Sequence, residues 1–100
     1  MAFDANTIAS QIKDYIDKRG GSYSGWYVGI AKDPEDRLFR DHNVDQKNGK
    51  WIYSPAASRN AADRVEKYFT QRLGAKGNPG GGDDETTWVY AYKIEWYTKQ

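Results

Sequence analysis

Apolar residues recur along this chain at two different periods, and the switches between them set out six elements. From Thr7 onward, Ile8, Ile12, Tyr15 and Ile16 fall at i, i+4, i+7 and i+8, the stripe of an amphipathic helix. Asn6 or Thr7 can cap its start, and Gly20 stands where a left-handed residue closes a helix. The period then drops to two. Between Ser24 and Ala31, Trp26, Val28 and Ile30 share one face, while Tyr27, Gly29 and Ala31 share the other. The first face reads as core. The second reads as small and open apart from its tyrosine.

Asp33-Pro34-Glu35-Asp36 is a helix start: Asp33 caps, Pro34 suits the first helical position, and the two acids favour the positive end of the dipole. That helix is expected to stop near His42. A polar loop follows from Asn43 to Lys50, with Asn48-Gly49 as its turn signal. Trp51, Ile52 and Tyr53 mark a short strand over Lys50 to Ser54, ended by Pro55. Ser58 or Asn60 caps a third helix running to about Leu73 and closed by Gly74. After the glycine-rich loop KGNPGGGDDE comes TTWVYAYKIEWY, the clearest strand signal, with Trp88, Tyr90, Tyr92, Ile94 and Trp96 on one face. The expected order is α-β-α-β-α-β in one domain, 1–100. The fold class is α+β, with a small three-stranded, mostly antiparallel sheet flanked by three helices.

Composition narrows the function classes. The hydrophobic share is only 38%, but 15% of the residues are aromatic, and each large ring buries roughly 150–250 Å². The net charge of +1 gives no whole-protein field for a polyanion, so any nucleic-acid binding has to come from a local patch. The absence of cysteine excludes disulfide scaffolds and thiolate metal sites. No apolar run approaches the ~20 residues of a membrane span, and no signal-peptide pattern is present. The expectation is a soluble, cytoplasmic protein with no membrane partner.

Several side chains are candidates for chemistry. On the third helix Ala62, Val65, Phe69 and Leu73 form an apolar stripe, with Asp63, Arg64 and Lys67 pointing away from it. Glu66 falls at the edge of the stripe and needs a partner if its charge is partly buried. A lysine or arginine would serve; so would a divalent cation such as Mg²⁺, which prefers carboxylate oxygen. Arg37 lies one turn after Asp33. Its guanidinium can hold a phosphate through two parallel hydrogen bonds, or pair on the surface with Glu35, Asp36 or Asp41. His42 is the only histidine and can shuttle protons or complement a helix dipole. Tyr27 can donate to a nucleophilic water or accept from it. The NPGGG run offers bare amides to an anion, or is a connector.

Together these segments resemble the GIY-YIG nuclease family. Tyr27-Val28-Gly29 is similar to the family's second motif, and Ala31 to Leu38 to its strand-to-helix segment with an arginine, continuing to His42. Ala62 to Glu66 is similar to the family helix that bears a metal-binding glutamate, and Asn78 stands where the family has an asparagine. The resemblance covers about half the chain, roughly 24–42 and 58–80. It implies an endonuclease that hydrolyses DNA phosphodiesters with one Mg²⁺ or Mn²⁺ held by Glu66. Arg37 would neutralise the phosphoryl oxygens, Tyr27 would position or deprotonate water with help from His42, and Asn78 would orient the site. The family opens with a GIY strand about ten residues before YIG. Here that stretch, QIKDYIDKRGGSY, reads as helix and loop. The expectation is a degenerate or permuted arrangement in which the C-terminal strand takes the vacated sheet edge and brings Tyr90 or Tyr92 to Tyr27. The same scaffold without catalysis would be a module that binds nucleic acid or a protein. A third possibility is an unrelated α+β interaction protein. A double-stranded-RNA module does not fit, because its α-β-β-β-α order differs.

Overall fold

The computed structural model describes residues 2–77 and 83–100. Helix α1 (Ala5–Arg19) leads through a 3₁₀ turn (Tyr23–Gly25) into strand β1 (Trp26–Ala31). A π-helical turn (Asp36–Asp41) follows, then β2 (Trp51–Pro55) and α2 (Arg59–Lys67). A second π-helical turn (Tyr68–Arg72) extends α2, and β3 (Trp88–Lys93) comes last. The chain is therefore an α+β protein with a three-stranded antiparallel sheet and three helical segments. Among the described residues, no helix is long and apolar enough to cross a membrane.

The caps explain where the helices begin. Asp4, earlier than the Asn6 or Thr7 expected from sequence, accepts a hydrogen bond from the Thr7 amide at 2.8 Å. Ser58 does the same for the Ala61 amide at 3.1 Å. The Asp33 carboxylate accepts from the Asp36 amide at 3.1 Å, as its place before Pro34 predicts.

Strand order is β1-β3-β2, so the last strand in sequence is the centre of the sheet. The expectation that the C-terminal strand would form an edge is corrected: β3 lies beside β1, but β2 flanks it on the other side. The register pairs Tyr27 with Tyr92 and Gly29 with Tyr90 on β1, and Trp51 with Tyr92 and Tyr53 with Tyr90 on β2. Because side chains alternate, Tyr27, Tyr92 and Trp51 form one row across a single face, and Gly29, Tyr90 and Tyr53 form the next.

Both faces of the sheet are covered. Ile8, Ile12 and Ile16 of α1, with Val65 of α2 and Phe69 beyond it, pack on Trp26, Val28, Val89 and Ala91. On the opposite face Leu38 and Val44 close over Tyr27, Ala31, Tyr90 and Tyr92. The face of β1 that reads as open is thus buried, because tyrosines from the neighbouring strand fill the space its small residues leave. Fully buried rings of Trp26, Phe69, Tyr90 and Tyr92 provide the apolar area that the low hydrophobic content would otherwise lack. Strand β3 stops at Lys93, where the Ile94 amide bonds back to the Gly25 carbonyl at 2.9 Å. Trp96, expected on the strand's apolar face, instead sits in a turn and is 94% exposed.

Candidate functional site

Four elements place side chains around one cleft. Tyr27 projects from β1, Arg37 from the first π-helical turn, Glu66 from α2 and Tyr90 from β3, and all four line a cavity of about 560 Å³. The π-helical turn matters to this placement. Its wider repeat bonds the His42 amide to the Arg37 carbonyl at 2.8 Å, and fully buried Leu38 anchors it to the sheet. Arg37 and Arg40 then project toward the cleft.

Gly29 decides how close Tyr90 can come. A β-carbon at Gly29 would lie 2.6 Å from both Cζ and the hydroxyl of Tyr90. Only a bare backbone lets the phenol cross above β1 and reach the cleft. The Tyr92 ring stacks on Tyr27 at 5.2 Å between centroids, but its hydroxyl donates to the Gln100 side-chain oxygen at 3.0 Å. Of the two tyrosines considered from sequence, Tyr90 is the one in the cleft wall.

Glu66 is the most unusual group here. It is 2% exposed, and its Oε1 has no hydrogen-bond partner. Burial, reinforced by the charge of Asp63, pushes its carboxyl up to about 7, against the opposing pull of Arg59 and Lys67. Burial also raises the Tyr27 phenol; Arg37 pulls it back and Glu66 pushes it further. The phenol, guanidinium and carboxylate therefore act on one another. Burial lowers Arg37, but its contact with Tyr90 and the charges of Tyr90, Asp41 and Tyr27 hold it above its ordinary value. Tyr90 is raised well beyond the usual phenol range, chiefly by burial.

His42 does not line the cleft. It lies behind Tyr90, 3% exposed, and is held at both ring nitrogens. A carbonyl can only accept, so Nδ1–H donates to the Lys99 carbonyl oxygen at 2.6 Å. Nε2 is then the acceptor, and the Tyr90 hydroxyl donates to it at 2.7 Å. Burial lowers the histidine's pKa, which favours this neutral form. The phenolic proton of Tyr90 is thus committed to His42, leaving its oxygen lone pairs to accept from Arg37.

The cations of the cleft all have carboxylate partners. Arg37 meets Asp41 at 3.3 Å, Arg40 meets Asp36 at 2.8 Å and Lys32 meets Glu85 at 3.0 Å. Sequence spacing offered Asp41 only as one of three surface partners for Arg37, and Lys32 and Glu85, 53 residues apart, gave no signal of their pairing. Asn78 and the NPGGG run lie outside the described residues.

A divalent cation fits the donor chemistry at Glu66. An unpartnered buried carboxylate oxygen in a cleft wall suits an ion that takes one protein ligand and keeps most of its water. Among the described residues, no group of three or more His, Asp or Glu side chains is arranged to hold a metal. Glu66 would thus be the single ligand from the described protein.

Searches of protein-family models, of curated proteins and of solved structures each find no match to this chain.

Proposed function

We propose that this chain is a GIY-YIG-like endonuclease domain that hydrolyses DNA phosphodiesters with one divalent metal, its central strand supplying the tyrosine that the family carries on its opening strand. The supporting observation is that Tyr27, Arg37, Glu66 and Tyr90, drawn from four separate elements, share one cleft.

The chemistry follows from the hydrogen bonds around Tyr90. A water held by the phenols of Tyr27 and Tyr90 attacks the scissile phosphorus. As it does so, the Tyr90 oxygen takes the water's proton and passes its own to His42 Nε2, already 2.7 Å away. Arg37 neutralises the charge that builds on the phosphoryl oxygens. Mg²⁺ or Mn²⁺ at Glu66 supplies, when bound, polarisation of the phosphate and stabilisation of the leaving oxygen. His42 is a positioning and proton-storing residue, since it does not reach the cleft.

Cleavage of supercoiled plasmid and of a single-stranded circular DNA with Mg²⁺ tests this reading. The native chain should cleave, and Glu66→Ala and Arg37→Ala should each lose cleavage by roughly 10²-fold or more. Equal cleavage by all three, or none by any, removes the enzyme claim.

A second reading, a nuclease-like module that binds nucleic acid or a protein without cutting, is favoured by the carboxylates paired with Arg37, Arg40 and Lys32. Those acids lower the cleft's affinity for a polyanion. Oligonucleotide binding without cleavage, unaffected by Glu66→Ala, would support it.

A further inference from the structure

The cleft around Glu66 is poor in free positive charge, so a polyanion needs another foothold. A second cleft, of about 620 Å³, shares Tyr27 with the first. Ser24, Tyr27, Lys76, Ile94 and Gln100 contribute to its wall, which includes no Asp or Glu side chain among the described residues. Lys76 is held there by its backbone: its carbonyl accepts from the Val28 amide at 2.9 Å, and its amide donates to the Trp26 carbonyl at 2.8 Å. Its exposed side chain forms no ion pair with any described residue.

Trp96 lies in the chain between two wall residues of this cleft. The turn that carries it begins after one wall residue, Ile94, and returns to another, Gln100. That turn is firmly built. The Thr98 hydroxyl bonds to the Glu95 carbonyl at 2.9 Å and to the Gln100 side chain at 2.9 Å, and Asn43 Nδ2 donates to the Tyr97 carbonyl at 3.1 Å. Tyr97 meets the Trp96 ring edge-on at 5.5 Å, leaving the indole faces uncovered. A tryptophan held open to water on a rigid turn costs solubility and contributes nothing to the core. Its free face is a stacking platform for a planar ring.

Taking the nuclease reading above as its basis, we propose that the substrate is single-stranded DNA. Its backbone crosses Tyr27 from the Glu66 cleft into the Lys76 cleft, and one of its bases stacks on Trp96. A cation for the phosphates beside an exposed ring for a base is the pairing that unpaired strands require. In a duplex the bases are already stacked on one another and offer no free face to an indole.

Fluorescence anisotropy of an end-labelled oligothymidylate, in EDTA so that no cleavage occurs, tests the proposal. The native chain should prefer this strand to a hairpin duplex of equal charge. Trp96→Ala should weaken binding about tenfold, as expected for one lost base stack. Lys76→Ala should weaken it about threefold and reduce the salt dependence by roughly one phosphate's worth. Tyr68→Ala, exposed on another face, should change nothing. Circular dichroism should show all three variants folded, since each side chain is exposed. Equal affinity of Trp96→Ala and the native chain, or a preference for the duplex, overturns the proposal. The outcome is separable from the nicking assay. Cleavage of the single-stranded circle with no role for Trp96 would sink this inference alone; strand binding through Trp96 with no cleavage of either DNA would sink the nuclease reading alone.

Discussion

The Tyr90 ring lies directly across Gly29, its hydroxyl in the place a β-carbon would need. The two residues are paired in register on adjacent strands, so neither can move without opening the sheet. Gly29→Ala should therefore be worse than its small volume suggests. We expect a loss of about 1–3 kcal/mol in stability by urea denaturation, the range for overpacking a filled interior. Cleavage should fall further than stability, because the displaced phenol is the group at the cleft.

Glu66 should give the protein an unusual pH dependence. Its carboxyl titrates near 7 in the native state against 4.5 when unperturbed. Between those values the native state holds a proton that the unfolded state has released, so stability falls as pH rises from about 4.5 to 7 and levels off above. The full loss is on the order of 3 kcal/mol. Glu66→Gln should abolish this slope and leave the protein more stable than native at pH 8. Mg²⁺ should raise the Tm of the native chain at pH 8 and leave that of the variant unchanged.

His42 works in the opposite direction. Its pKa is lowered by burial, so below about 6.5 the unfolded state takes up the proton first. Its contribution is present above 6.5 and is lost as pH falls toward the depressed native value. In Glu66→Gln, where the carboxylate slope is gone, stability should rise with pH up to about 6.5 and then stay flat. A variant that still loses stability between pH 5 and 7 would contradict both assignments.

Tyr90→Phe removes the donor to His42 Nε2 and leaves that nitrogen buried without a partner. The expected cost is about 1–3 kcal/mol in stability. Cleavage should drop by about 10²–10⁴-fold in kcat with little change in KM, since the phenol acts on the proton rather than on binding.

Asp41→Asn should release Arg37 from its ion pair while keeping the side chain's shape. Oligonucleotide affinity should rise about threefold, and stability should change by less than about 0.5 kcal/mol because the pair is half-exposed. Unchanged affinity would show that Asp41 does not compete with phosphate for the guanidinium.

Much of this architecture was legible from spacing, and the misses have identifiable causes. The stripe Ile8, Ile12 and Ile16 marked α1, and alternation marked β1 and β3, because local periodicity reports which face is buried. The buried second face of β1 was not legible. Gly29 and Ala31 look open in isolation, and it is Tyr90, 61 residues away, that fills the space above Gly29. The π-helical turns left no pattern, since a wider repeat over five or six residues is too short to show a period. Trp96 continued the alternation of β3 in letters, but the chain turns at Ile94 to bond with Gly25. Glu66 was visible as an acid at the edge of an apolar stripe. That Tyr27, Arg37 and Tyr90 surround it depends on strand register and on the π-helical turn, which no local window contains.

The position of β3 has a consequence for how the protein is made. β1 and β2 do not pair with each other; within the sheet each is joined to the strand synthesised after both. Until residue 93 leaves the ribosome, the two aromatic ribbons lack the strand that joins them into one sheet. The sheet is completed from the middle, by its final strand, and the proposed active site comes into being in the same event.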